Sequence, residues 1–159
     1  MASFGHMAIG MAAGRAFSER GASKKQLLAA MAGFAAVAMW PDLDFAGMVV
    51  GIPYDHPLGH RGAPHSLVVA VAVGAASLLV ARRKSWNVPR TVVLATLVGL
   101  THGLLDSMTY GGGLGCALFW PFSAERLWMP WRFIPVAPLG LGMLSERGLF
   151  TVFAELLLF

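Results

Sequence analysis

Residues 90–107 read RTVVLATLVGLTHGLLDS, and nothing between Arg90 and Asp106 is charged. A run of that length and apolarity predicts a membrane helix, since a bilayer core needs roughly 20 apolar residues. Its end is different in kind. His102 and Asp106 stand four residues apart, so they share one helix face about one turn apart. The run is an apolar helix that finishes in two ionisable groups.

Other stretches repeat the pattern. Residues 1–14, 26–41, 62–81 and 133–145 also lack Asp, Glu, Lys and Arg. Helices are expected near 3–17, 26–47, 65–82, 90–107 and 144–159. Several reach bilayer length only if their polar ends are counted, which puts those ends at or below the headgroups. The uncharged run 107–124 is broken by Gly111, Gly112, Gly113, Gly115 and Pro121 and reads as a loop. Gly10-Met11-Ala12-Ala13-Gly14 reads as a close-packing stretch.

Composition agrees. Hydrophobic residues make up 57% of the 159 before glycine is counted, charged residues 13%, and the mean hydropathy is +0.65. A soluble domain averages about 25% charged residues. Too few charges remain here to cover a water-facing surface, and the same numbers exclude a disordered chain. Cys116 is the only cysteine, which excludes a disulfide scaffold. The expected fold class is all-α: a small multi-pass transmembrane bundle of about four to five membrane helices, with residues 1–159 as a single integral domain.

The net charge is +4, but the basic residues form no long patch, so nucleic acid is not an expected partner. Arg15, Arg20, Lys24 and Lys25 flank the first connection, and Arg82, Arg83, Lys84 and Arg90 the third, together eight of the twelve. The positive-inside rule places them in the cytoplasm. Segments 48–64 and 108–143 then lie on the outer side of a bacterial or archaeal cytoplasmic (inner) membrane. The first basic residue is Arg15, with none ahead of the apolar run, so a cleavable signal peptide is not expected.

On that topology the ionisable residues converge. His6, Asp42, Asp44, His60, His65, His102 and Asp106 come from five separate stretches and fall at one level of one face. Only Glu155 is in doubt as an acid within a span. Ionisable groups at membrane depth are costly and mark a function, a partner or a bound ion. Imidazole and carboxylate without matching lysines suit zinc first, with manganese or iron as alternatives. Asp42 and Asp44 follow Pro41, where the helix is expected to be disturbed, so both can point inward. His56, between Asp55 and Pro57, reads as a solvated or rim residue. Ser66 reads as a helix-start residue.

Each residue also has a structural reading. A single histidine on a membrane helix is usually a hydrogen-bonded packing residue, and His102 with Asp106 can lock two helices. That reading weakens for the ensemble, because it leaves the shared level unexplained.

The ordered set Gly5-His6, Pro41-Asp42-Leu43-Asp44, His60-Arg61-Gly62-Ala63-Pro64-His65-Ser66 and His102-Gly103-Leu104-Leu105-Asp106 resembles the YdjM-like family of membrane-bound, predicted metal-dependent hydrolases, some of them LexA-regulated. The resemblance covers nearly the whole chain, including Trp120-Pro121-Phe122 and Trp131-Arg132-Phe133. It implies a metal-dependent hydrolase. Pro64 is a departure, standing where a Thr is expected in relatives and removing a hydroxyl beside His65. A fainter similarity to zinc-dependent phospholipases C is an analogy of helices and H-x-x-x-D pairs alone.

Seven donors are too many for one tetrahedral ion and suit two ions, or one ion with a supporting shell. His6, Asp42, Asp44, His65, His102 and Asp106 are the expected ligands, with His60 a ligand or an acid–base group. Asp44 would orient a water, and Arg61 could clamp a phosphate oxygen or pair with Asp42, Asp44 or Asp55. The aromatic stretch 119–133 reads as interfacial. The expected activity is hydrolysis of a phosphoester in a membrane lipid or lipid-linked substrate at the outer face, with the bilayer as surroundings and room for a homo-oligomer. The alternatives are a metal or proton transporter, and a structural protein whose metal staples the bundle. Neither H-E-x-x-H nor G-x-S-x-G is present.

Overall fold

Four helices run antiparallel in sequence order, and the last three are each started by a capping side chain. The computed structural model describes residues 3–138 and 140–159; Met1, Ala2 and Leu139, which the expected 1–159 domain includes, lie outside the described residues. Helix α1 spans Ser3–Phe17, α2 Lys24–Met39, α4 Leu67–Arg83 and α5 Val88–Ser107. Ser23 caps α2 in a reciprocal box with Gln26, Ser66 accepts from the Val69 N–H at 3.2 Å, and the Asn87 carbonyl Oδ1 accepts from the Arg90 N–H at 3.0 Å. Apart from the C-terminal end of α2, these boundaries lie within two residues of the expected ones.

Two expectations change. Helix α2 does not run on to residue 47. Pro41 opens a 3₁₀ turn over Trp40–Asp44, followed by a short helix, α3, over Phe45–Val49. The turn bends the chain where Asp42 and Asp44 stand, because a proline cannot donate to the preceding turn. Residues 133–145 are not helical among the described residues. Ile134–Pro135 forms a two-residue strand, β2, parallel to β1 at Thr109–Tyr110, and Gly140–Leu144 is a 3₁₀ turn before α6, Glu146–Leu158. The β pair is a small exception to the expected all-α class.

Small residues set the helix spacing. A Cβ on Gly10 would stand 2.6 Å from the Ala35 Cα, and one on Gly14 2.4 Å from the Met31 Cα, so α1 and α2 touch backbone to backbone. Gly74 does the same for α4 against Thr96 of α5, where a Cβ would lie 2.8 Å from the Thr96 Cα. The core is correspondingly small, built on Phe34, Ala38, Ala95 and Val98. Large apolar side chains such as Leu28, Val71, Leu79, Val93 and Leu97 remain exposed around the bundle. Water disfavours so extensive an apolar exterior, and a lipid solvent favours it.

Among the described residues, two helical runs are long and apolar enough to cross a membrane, Lys24–Val49 and Val88–Ser107. Helices α1 and α4, with 15 and 17 residues, fall short of that length on their own. Arg15, Lys24, Lys25, Arg82, Arg83 and Arg90 gather at one end of the four helices. The histidines and aspartates gather at the other.

Candidate metal centre

His102 lies in the second-last turn of α5, fully buried. Its Nδ1 is 2.6 Å from the carbonyl of Ala38, in the last turn of α2. A carbonyl only accepts, so Nδ1 carries the proton and Nε2 keeps its lone pair. That lone pair faces His65 Nε2 at 3.1 Å and Asp42 Oδ1 at 3.5 Å. His65 Nε2 in turn is 3.8 Å from Asp42 Oδ1 and 3.5 Å from Asp106 Oδ2.

Asp42, His65, His102 and Asp106 thus form one group of four donors able to hold a metal ion. Ligands at 2.0–2.1 Å around a tetrahedral ion stand about 3.3 Å from one another. The observed spacings of 3.1 to 3.8 Å bracket that value.

A second group, Asp44, His60 and His65, shares His65 with the first. Its distances have a different character. Asp44 Oδ1 is 2.7 Å from His60 Nδ1, and Oδ2 accepts the Arg61 N–H at 3.1 Å. The same Oδ2 lies 3.1 Å from His65 Nδ1, off the line of an ideal hydrogen bond. Asp44 stands behind two imidazoles, as carboxylates do when they orient metal-bound histidines. His60 keeps Nε2 for the cleft that it lines.

His6, expected among the ligands, belongs to neither group. It lies behind Asp106, with Nε2 3.3 Å from Asp106 Oδ1 and its ring stacked on His102 at 3.7 Å. Arg61 also differs from its expected partners Asp42, Asp44 and Asp55. Its Nε lies 3.2 Å from Asp106 Oδ2, and its Nη1 donates to the Leu114 carbonyl at 3.1 Å. The side chain is only 2% exposed. Burial opposes its charge, but Asp106 beside it holds the guanidinium pKa above its ordinary value. Its backbone has φ of +65°, a left-handed conformation uncommon outside glycine.

The charges test whether a metal fits. Asp42, Asp44 and Asp106 bring three carboxylates together, and among the described residues Arg61 is in contact with Asp106. Buried carboxylates need compensation, and a divalent ion among neutral imidazole donors supplies it. The 3.1 Å between His65 Nε2 and His102 Nε2 admits a proton or an ion. The donor set therefore fits a divalent metal, held by Asp42, His65, His102 and Asp106.

The group opens on one side. Asp42 is 21% exposed and lines a cleft of about 410 Å³ with Phe45, Tyr54, His60, Arg61 and Arg147. Sequence reading missed three supports of this site. Arg126 grips the loop that carries His60, donating to the carbonyls of His60, Tyr54 and His56 at 2.6, 2.9 and 2.9 Å. Arg147 reaches the Gly111 carbonyl from α6. Buried Glu155 accepts the Gly5 N–H at 3.1 Å and fastens α6 to the start of α1. None of these contacts has a sequence signal, since each joins segments far apart in the chain. His56 is exposed and bonded to its own turn, its Nδ1 accepting the Leu58 N–H at 3.1 Å.

Fold and centre together define a helical membrane protein with a His–Asp donor cluster at one end of its bundle. The chain belongs to the YdjM inner membrane protein family, whose model matches residues 1–159. It is similar to "Inner membrane protein YbcI" of Escherichia coli (strain K12), with 41% identity over 108 residues. That match covers 66% of this chain and 61% of the length of the curated relative. No solved structure matches significantly.

Proposed function

We propose that this protein is a multi-pass, membrane-embedded, metal-dependent hydrolase that cleaves a phosphoester in a lipid or lipid-linked substrate at the outer face of the membrane. In this reading α1, the α2–α3 segment, α4 and α5 cross the bilayer with basic ends inside, and the centre lies at the outer headgroup level. The observation that carries it is the set Asp42, His65, His102 and Asp106, whose donor atoms stand at metal-ligand spacing and whose open side meets a cleft.

A divalent ion bound there supplies Lewis acidity and a water of lowered pKa. The chain's residues do the rest. His65 and His102 present Nε2, with Asp44 and the Ala38 carbonyl behind them. Arg61 neutralises Asp106 and offers further N–H donors to a phosphate oxygen. The water oxygen bonds to phosphorus and the P–O ester bond breaks. His60 Nε2 takes the water proton and returns it to the leaving alkoxide, with Asp44 steadying Nδ1.

The cleft at Asp42 supports catalysis over a metal staple, since a water or substrate oxygen can reach the centre there as a fifth ligand beside the four protein donors. A transport path would need polar groups through the other half of the bundle. That half is lined by Ala13, Phe17, Phe34 and Leu94. The test is metal content of the detergent-purified protein beside His102→Ala and Asp106→Ala, followed by phospholipid and lipid-diphosphate hydrolysis. Near-stoichiometric metal lost in both variants, with metal-dependent hydrolysis, is expected. Folded wild-type protein that takes up no zinc, manganese or iron would sink the reading.

A further inference from the structure

The cleft beside the centre has a second cationic wall that the donor set does not use. Arg147, on the first turn of α6, lines it, and no carboxylate pairs with Arg147 among the described residues. Its one side-chain hydrogen bond there is a donation to the Gly111 carbonyl, which leaves most of its five N–H donors unspent. Between Arg147 and Arg61 runs Gly111-Gly112-Gly113. A Cβ on Gly111 would lie 3.3 Å from Arg147 Nη2, and one on Gly113 3.7 Å from Arg61 Nη1.

All three glycines have positive φ, at 96°, 138° and 76°, so the backbone here needs glycine. Their N–H groups have no acceptor among the described residues. The loop therefore spans two guanidiniums with unspent amides facing solvent. Arg61 touches Asp106, so its end of the cleft is the metal end. Arg147 stands at the other end of the glycine run. Asp42 is the cleft's carboxylate, and it belongs to the donor set. Phe45, Val136, Pro138 and Met143 give the cleft an apolar wall, beside Tyr54 and His60.

Building on the hydrolase reading, we infer that the substrate is a lipid diphosphate: one phosphate at the Arg61 end of the cleft, the adjoining phosphate on Arg147 and the Gly111–Gly113 amides, and the chain along the apolar wall. One phosphate would leave Arg147 unpaired in the bound state. Two adjacent phosphates satisfy both guanidiniums at once.

The test is calorimetric binding to zinc-reconstituted full-length protein in detergent. The probes are dodecyl diphosphate, dodecyl phosphate and inorganic pyrophosphate, with metal content measured before and after. Dodecyl diphosphate is expected to bind at least about tenfold tighter than dodecyl phosphate, the size of one charge-assisted contact. Arg147→Gln is expected to remove that preference, leaving dodecyl phosphate affinity and metal content unchanged. Arg147→Lys should fall between, since it keeps the charge without the planar fork. Equal affinity for the two dodecyl probes, or a preference that survives in Arg147→Gln, overturns the inference. Pyrophosphate binding as tightly as dodecyl diphosphate overturns its lipid half. Metal uptake by the wild-type protein separates the two readings. An Arg147-dependent preference in wild-type protein that takes up no metal upholds this subsite and removes the hydrolase; stoichiometric metal without the preference does the reverse.

Discussion

His65 Nε2 and His102 Nε2 face each other across 3.1 Å, and the His102 Nδ1 proton is committed to the Ala38 carbonyl. Either a divalent ion or a proton on His65 Nε2 sits between the two nitrogens, with Asp42 and Asp106 alongside. The two differ in one observable respect, which is response to chelation. If a metal holds the centre, zinc at a hundredfold excess over its Kd should stabilise the protein by about 2.7 kcal/mol. EDTA should lower the melting temperature, and zinc should restore it. His102→Ala should melt at one temperature under both conditions. A wild-type melt indifferent to chelator and zinc would assign the gap to the proton.

Asp44 tests the supporting layer. Its oxygens lie 2.7 Å from His60 Nδ1 and 3.1 Å from His65 Nδ1. Asp44→Asn keeps the shape and removes the charge. Metal affinity by chelator competition should fall about 10–100-fold, the usual cost of losing an orienting partner. Asp42→Asn, which alters a donor, should lose more. The reverse order would make Asp44 the ligand and Asp42 the support.

How much of this the chain disclosed depends on distance along it. His102 and Asp106 were legible because a helix fixes an i, i+4 pair on one face. The bend at Asp42 was legible because Pro41 announces it. His60 and His65 were legible as donors, but their division between two groups was not, since both lie in a loop whose course depends on Arg126 and on positive φ at Arg61. His6 was expected as a ligand because it shares the level. Only the packed helices put it behind Asp106. The charge-free run 133–145 imitates a membrane helix in composition, but Pro135, Pro138, Gly140 and Gly142 interrupt it, and its backbone pairs with β1 instead. Arg147 reaches the cleft because Glu155 fastens α6 to α1, a contact between the two ends of the chain.

Arg126 is the clasp of the 54–60 loop, holding three of its carbonyls. Arg126→Ala should cost about 1–3 kcal/mol, the scale of a hydrogen-bonded charge. The loss should be local. Amide exchange should accelerate across 54–61 and leave α1 and α5 unchanged. Exchange that rises uniformly would mean that Arg126 supports the whole bundle.

Cys116 offers a check of the 108–138 segment that is independent of any metal. It is fully buried, and burial, with Asp106 nearby, pushes its thiol pKa upward. The thiolate is the reactive form, so maleimide at pH 7 should leave the folded protein unlabelled and modify it fully in denaturant. Rapid labelling of folded protein would show that the 108–138 segment does not close over the site.

Gly103 joins helix packing to the centre most directly. It stands between His102 and Asp106, and a Cβ there would lie 2.2 Å from the His65 carbonyl oxygen. That atom is backbone, so the added methyl can be accommodated only by moving the turn that carries His65 away from α5. Gly103→Ala should therefore widen the gap between His65 and His102 and weaken metal binding, although no donor has been altered. Gly33, inside α2, faces open space, with nothing within 4 Å of where a Cβ would stand. Gly33→Ala should stabilise by about 0.5–1 kcal/mol through helix propensity and leave metal content intact. The two substitutions are chemically identical and differ only in what the new methyl meets. If both leave metal binding unchanged, the close approach of α5 to the His65 turn is not what sets the donor spacing.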